Sequence, residues 1–256
     1  MDYERWAEWY DFAYRAAGNR GVDFHVDLAR ESGGPVLEIG AGTGRLAVPT
    51  VEAGINVVGI DLNQPMLDEA RRKYQALDGA AGSLELLQAD MRTLDLGRTF
   101  PLVAAPARVL LLAVTPEEQQ ETFHRLAAHV APGGMFYFNV FMPNPELISD
   151  DSLSPHLFGD AIRPETGNRV LMWNVNRFDT VAQTTHGLQI FEEIDQSGET
   201  VRKVTLDVVV RYLYPSEIHE MVANAGLEVE VVYGDFDRTP FTEDSSEQIF
   251  ICHKAG

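Results

Sequence analysis

The stretch Val36-Leu37-Glu38-Ile39-Gly40-Ala41-Gly42-Thr43-Gly44-Arg45-Leu46 constrains the fold of this chain more than any other. An apolar run flows into three glycines at every second position, and a helical pattern with Leu46, Ala47 and Val51 on one side begins at once. Glycines let the backbone close up to a ligand, and the first amides of a helix face outward from its amino end. Strand, tight turn and helix start therefore make a corner suited to a nucleotide-like ligand. Val36 to Ile39 lacks polar alternation, as a parallel strand covered on both faces does.

The same pattern repeats downstream. Thr43 to Ala53 reads as helix closed by Gly54, Asn56 to Ile60 as a second buried strand ending in Asp61, and Pro65 to Leu77 as the next helix. Leu84 to Gln88 is a third strand running to Ala89-Asp90, and Pro101 to Ala105 a fourth. Thr115-Pro116-Glu117-Glu118 starts a helix, with proline first and acids in the first turn. It runs to about Val130, is ended by Pro132-Gly133-Gly134, and leads to a fifth strand, Met135 to Phe141. Pro215 to Ala225 is helix capped by Gly226, and Leu227 to Tyr233 and Gln248 to Lys254 are strands. Such alternation calls for a doubly wound α/β sheet with right-handed crossovers. Ahead of it, Tyr3 to Ala17 carries Trp6, Trp9, Tyr10, Ala13 and Tyr14 at helical spacings, and Val22 to Arg30 reads as a second helix. Residues 1–141 with 215–256 form the expected core, of which 1–32 is an amino-terminal helical cap.

From Met142 the texture changes. Residues 142–168 are rich in Pro, Asp, Ser, Asn and Gly and read as a long irregular segment. Three strand-like runs follow, Arg169 to Asp179, Gln183 to Asp195 and Thr200 to Tyr214. Val201, Val204, Leu206, Val208 and Val210 come close to alternation, so residues 142–214 are expected to be a small antiparallel β insert with one wet face. It serves as a lid over a substrate, or as a homodimer contact, since its outer edge strand would otherwise stand open.

Composition limits the partners. The 256 residues suit one α/β domain, and 45% hydrophobic against 23% charged residues suffices for a core. A net charge of -19 repels phosphate backbones and anionic lipid heads, which argues against nucleic acid and membrane surfaces. Cys252 is the single cysteine, so no intramolecular disulfide forms and a reducing compartment fits. Met1-Asp2-Tyr3-Glu4-Arg5 is charged and no signal peptide, and Val109 to Val114 is too short to span a bilayer, so a soluble cytoplasmic protein is expected. His124 and His129 do not share a helical face at ligand spacing and no Cys/His cluster exists, so no metal is expected.

The ordered set of motifs resembles the class I S-adenosylmethionine-dependent methyltransferases over about residues 33–141 and 215–254. Glu38 to Gly44 matches the family's first motif, Gly59-Ile60-Asp61 its second-strand acid, Gln88-Ala89-Asp90-Met91 its adenine-edge motif, and Pro132-Gly133-Gly134 the turn before strand five. The resemblance implies a Rossmann-like seven-stranded sheet with an antiparallel last strand. A dinucleotide fingerprint starting at Gly40 would need glycine where Arg45 stands, which sets an NAD(P)-dependent oxidoreductase behind the methyltransferase reading. A catalytically silent cofactor-binding or dimerising module is the other alternative.

The resemblance also implies roles for S-adenosylmethionine, with S-adenosylhomocysteine as product. Gly40, Ala41 and Gly42 would line the methionyl part and Glu38 hold its ammonium directly or through water. Asp61 would accept the ribose hydroxyls, Leu62 and Met66 flank the adenine, and Asp90 and the Met91 amide bind its edge. Strand four departs from the family pattern: Phe100-Pro101-Leu102-Val103 lacks the usual acid, and Ala105-Pro106-Ala107-Arg108 lacks the signature of amino-methylating DNA enzymes. Pro106 and Arg108 should still lie beside the sulfonium. The cluster Trp9-Tyr10-Asp11-Phe12-Ala13-Tyr14 is similar to the Tyr-Asp-x-x-Tyr start of amino-sugar and glycine N-methyltransferases, which places Tyr10 and Tyr14 near the cofactor.

Methyl transfer to nitrogen or oxygen of a small molecule, with carbon left open, needs mainly an oriented nucleophile and exclusion of water. Where a base is needed, the candidates are Tyr14, His156, His186 and Asp235. An antiparallel last strand between strands five and six would bring the loop Gly234 to Phe241 to the edge that carries the glycine turn. Insert and loop would then roof the pocket, with Trp173, Arg177, His186, Arg211 and Tyr212 as its lining.

Overall fold

The computed structural model describes residues 3–149 and 153–254, with side chains from residue 7 onward. Trp6, read above as part of a helical stripe, lies outside the described side chains, and 150–152 of the irregular segment lie outside the described residues. In chain order the elements are α1 (Tyr3–Ala16), α2 (Val22–Ser32), β1 (Val36–Ile39), α3 (Ala47–Glu52), β2 (Val57–Asp61), α4 (Gln64–Gln75), β3 (Leu84–Gln88) and β4 (Phe100–Ala105). A 3₁₀ turn, Val109–Leu112, precedes α5 (Pro116–Ala128), β5 (Val130–Phe141), α6 (Pro145–Ile148), β6 (His156–Ile162), β7 (Arg169–Asp179), β8 (Thr184–Ile194) and β9 (Thr200–Arg211). α7 (Pro215–Asn224), β10 (Leu227–Tyr233) and β11 (Glu247–Lys254) complete the described chain.

These elements fall into two compact units, one made of Gly21–Pro143 with the residues from Tyr212 on, the other of the residues up to Arg20 with Asn144–Arg211. In the first, seven strands are ordered β10-β11-β5-β4-β1-β2-β3. β1 pairs in parallel with β2 and β4, while β11 runs antiparallel to both β5 and β10. The carboxyl ends of β1, β2, β5 and β10 therefore share one edge, which carries the glycine turn, Asp61 and the loop from Gly234. Phe24, Leu28, Val36, Val51, Leu102 and Tyr137 are among the side chains packed into one core cluster. Each contributes about 1.5–3 kcal/mol by leaving water.

Two boundaries differ from the sequence reading for identifiable reasons. α3 begins at Ala47 rather than Thr43 because the chain from Gly40 to Gly44 is still turning, with φ of 69° at Gly40, 54° at Gly42 and 77° at Gly44. A Cβ on Gly44 would stand 2.9 Å from Val48 Cγ2 and 3.1 Å from Ala70 Cβ, so helix and turn close up only around glycine. β5 begins at Val130, and Pro132-Gly133-Gly134, expected as the turn before it, lies inside its span. Pairing with β4 jumps from Phe100↔Val130 to Leu102↔Met135, so the extra residues bulge out of the ladder there.

The second unit is an antiparallel sheet ordered β6-β7-β8-β9. β7 has the bounds read from sequence, whereas β6 arises where irregular chain was expected. Its pairing with β7 shifts register between Leu157 and Gly159, which removes the alternation that would have marked a strand. The unit's core is Trp9 and Phe12 of α1 with Val170, Met172, Phe191, Val204 and Leu206 of the sheet. The Trp9 ring stacks on Phe191 with centroids 4.9 Å apart. Arg163 and Arg202 lie over Trp9 at 4.6 and 5.3 Å and both donate to the Glu8 carboxylate. Residues up to Arg20, assigned above to the cap of the core, thus belong to the compact unit of the insert.

Candidate active site

The glycine corner at the end of β1 is built by close approach. A Cβ on Gly40 would lie 2.6 Å from Val109 Cγ2, and one on Gly59 in β2 would lie 2.8 Å from Ala41 Cβ. Glycine at both positions therefore lets the turn lie flat against β2 and the 3₁₀ turn. Asp61, ending β2, ties the corner together: its carboxylate accepts from the Gly42 amide at 2.9 Å, the Asn63 amide at 2.9 Å and the Asn63 side-chain amide at 3.1 Å. Burial pushes its pKa above the usual carboxylate range, and the backbone hydrogen bonds from Asn63 and Gly42 pull the other way.

Glu38 lies inside β1, 1% exposed, and its Oε2 has no hydrogen-bond partner. His25 of α2, fully buried, places Nε2 3.4 Å from that oxygen, yet neither ring nitrogen has a hydrogen-bond partner. The His25 ring is 6.1 Å from that of Tyr137 on β5, whose phenol is held above its ordinary range by burial.

Around this corner the other expected residues have settled partners. Both Asp90 oxygens accept from Arg92, whose guanidinium also reaches Glu118 at 2.6 Å, and these bonds hold the Asp90 carboxyl below its ordinary range. Met91 follows in the turn, Met66 is buried on α4, and Leu62 is 51% exposed at the edge. Pro106 is buried, and Ala107 and Arg108 after it both take left-handed backbone, φ 56° and 63°. That conformation costs about 1–2 kcal/mol per non-glycine residue and marks a segment held by its surroundings. Arg108 donates to Glu247, which also accepts from Asn139 at 2.9 Å, so its guanidinium is engaged by β11.

Gly40, Ala41, Gly42, Glu38, Asp61, Leu62, Met66, Asp90, Met91, Pro106 and Arg108 thus belong to one unit, as do Asp235 and Tyr212. Asp235 accepts from the Phe236 amide at 2.6 Å, and Tyr212 is buried, edge-on to Tyr214. Tyr10, Tyr14, His156, Trp173, Arg177, His186 and Arg211 belong to the other unit. There Tyr10 and Tyr14 lie with ring centroids 4.7 Å apart, and Arg177 stands opposite His186 across β7 and β8. Trp173 faces Leu157 and Ile190 in register, His156 opens β6 in an exposed position, and Arg211 is buried with Gln183 as an acceptor. His25, Asn63, Tyr137, Asn139 and Glu247 were missed. Asn63 could have been found as an amide donor two residues after a strand-end acid; the others carry no local signal.

Known proteins agree with this corner. A methyltransferase-domain family model matches residues 36–134. The chain is 28% identical over 226 residues to the cypemycin N-terminal methyltransferase of Streptomyces sp, covering 87% of this chain and 84% of that protein. Residues 36–134, which carry the glycine corner, Asp61 and Asp90, are thus a methyltransferase domain. The CcbJ methyltransferase from Streptomyces caelestis superposes with a TM-score of 0.76 at 25% identity, over 91% of this chain and 94% of that one. S-adenosylmethionine-bound CalS10, an amino pentose methyltransferase from Micromonospora echinaspora, shares the fold with a TM-score of 0.73 at 24% identity, over 96% of each chain. The methyltransferase-domain match sets the oxidoreductase alternative aside. The residues of this corner fit S-adenosylmethionine, the group bound in CalS10: a buried carboxylate oxygen without a partner suits an ammonium, and the Gly40 and Gly59 approaches leave backbone rather than side chain at the turn. Among the described residues no helix is long and apolar enough to cross a membrane, and no group of three or more His, Cys, Asp or Glu could hold a metal.

Proposed function

We propose that this methyltransferase transfers a methyl group to a nitrogen or oxygen of a small molecule, nitrogen being favoured because the relative from Streptomyces sp is named an N-terminal methyltransferase. The observation that carries its chemistry is the pair of acids on neighbouring parallel strands, the buried Glu38 with an unpartnered oxygen and Asp61, at the end of its strand, bound to the glycine turn. S-adenosylmethionine, when bound, supplies a methyl already activated by its sulfonium. Glu38 would bind the ammonium, with Gly40, Ala41 and Gly42 along the methionyl part. Asp61 already accepts three hydrogen bonds of the roughly four a carboxylate can take, so binding both ribose hydroxyls would draw on the longer bond from the Asn63 side chain. Leu62 and Met66 would flank the adenine, with Asp90 and the Met91 amide at its edge. Pro106 and Arg108 would stand beside the sulfonium, Arg108 through its pair with Glu247.

The chain's part in the reaction is to orient the nucleophile in line and to keep water out. Tyr14, His156, His186 and Asp235 are the groups that could take a proton from it. The insert 142–214 follows the carboxyl end of β5, the edge that carries the glycine corner, which supports its service as lid, with Trp173, Arg177, Arg211 and Tyr212 toward the acceptor. A homodimer through the insert and a cytoplasmic location complete the proposal. Calorimetric titration with S-adenosylmethionine, S-adenosylhomocysteine and NADH tests the cofactor, and only the first two should bind. Methyl transfer across a panel of amines, phenols, carboxylates and sugars tests the acceptor. Turnover is expected with amines; tight cofactor binding with no turnover on any class would leave the silent binding module.

A further inference from the structure

His25 stands where an apolar residue would be expected. It is fully buried on α2 among Phe24, Val26, Leu28 and Ala29, all of them buried. An imidazole placed there loses its hydration and recovers that cost only through a hydrogen bond. Its two nitrogens have none, and 3.4 Å away Glu38 Oε2, equally buried, has none either. Two orphaned polar groups of complementary character face one another, so a small rotation of either side chain makes a hydrogen bond with Nε2–H as donor and Oε2 as acceptor. Such a bond would fix the plane of the Glu38 carboxylate two residues before Gly40 and leave its remaining acceptor capacity to a cation at the glycine turn.

We infer that His25 is a positioning residue for the amino-acid end of the cofactor, holding Glu38 in the orientation that accepts from the ammonium. The inference rests on the proposed placement of that ammonium at Glu38. Two ligands separate the roles: S-adenosylhomocysteine carries the amino-acid part, whereas 5′-methylthioadenosine keeps the sulfur and the adenosine and lacks it. Calorimetry on His25→Phe, which keeps a buried ring without an N–H, should show affinity for S-adenosylhomocysteine reduced about tenfold. Affinity for 5′-methylthioadenosine should stay within about twofold. His25→Gln, which retains an N–H donor, should recover part of the loss. Equal losses for both ligands, or no loss for either, would overturn the positioning role.

Long-range ¹⁵N–¹H spectra of the unsubstituted protein need no variant to fold. They should show His25 protonated at Nε2 and its resonance moved by S-adenosylhomocysteine but not by 5′-methylthioadenosine; a proton on Nδ1 in the complex would overturn it. Unsubstituted protein that binds both ligands equally well would instead remove the ammonium from Glu38, a failure of the underlying reading that the His25 variants cannot mimic.

Discussion

The acids of the glycine corner and Glu8 of the four-stranded unit are handled in opposite ways. In the seven-stranded unit, Glu38 and Asp61 are withdrawn from water with no cation bound to either, and burial raises the pKa of Asp61. In the four-stranded unit, Glu8 is gripped by Arg202 and Arg163, and the Arg202 hydrogen bond leads the causes that hold it below its ordinary range. The glycine corner thus carries a cost that a cationic or hydroxyl-bearing ligand relieves, while Glu8 has already spent its charge on structure. A ligand site is recognised here by what the fold leaves unsatisfied, and a scaffold by what it satisfies.

The comparison can be broken most forcefully at Trp9. Replacing it by alanine removes the stacked centre of the four-stranded unit's core and should cost about 3–5 kcal/mol. Amide exchange should lose protection in β6 to β9 first; loss spread evenly over β1 to β5 would deny the unit its own core. Next in size, Asp61→Ala leaves the Gly42 amide without its acceptor and should weaken S-adenosylhomocysteine binding by about tenfold or more in calorimetry. Unchanged affinity would take Asp61 out of the site. Glu247→Gln keeps an acceptor for Asn139 but removes the charge that holds Arg108, and should lower stability to urea by about 1 kcal/mol. The smallest effect distinguishes the two kinds of carboxylate by pH. Because the Glu8 pKa is lowered from 4.5 on folding, its contribution is present above pH 4.5 and lost as the pH falls through its folded value. Screening of these partly exposed groups limits it to about 0.5–1 kcal/mol. Glu8→Gln should flatten that part of the acid denaturation curve. Asp61 acts with the reverse sign: its raised pKa means the folded state takes up the proton more readily, so its burial cost is relieved as the pH falls through the folded value.

Much of the seven-stranded unit was legible because its signals are local. A glycine at every second position, strand-end acids at Asp61 and Asp90, and proline at helix starts each act within a few residues. What escaped is carried by distance or by broken periodicity. Arg108 and Glu247 are 139 residues apart in sequence, and nothing near either announces the other. His25 reads as one polar residue on an apolar helix face until β1 is laid beside it. β6 vanished because its register shift abolishes alternation, and the start of β5 because Pro132-Gly133-Gly134 looks like a terminus although the ladder continues around it.

Glu8 is bound to Arg163 and Arg202, 155 and 194 residues further along. During synthesis, α1 therefore leaves the ribosome long before the strands that cover Trp9 and the arginines that bind Glu8 exist. At about 5–20 residues per second the helix waits on the order of ten seconds or more, while all the parallel strands of the other unit are made. The chain's first helix is thus among the last to find its place, and the four-stranded unit closes only when its carboxyl-terminal strand returns to the beginning of the sequence.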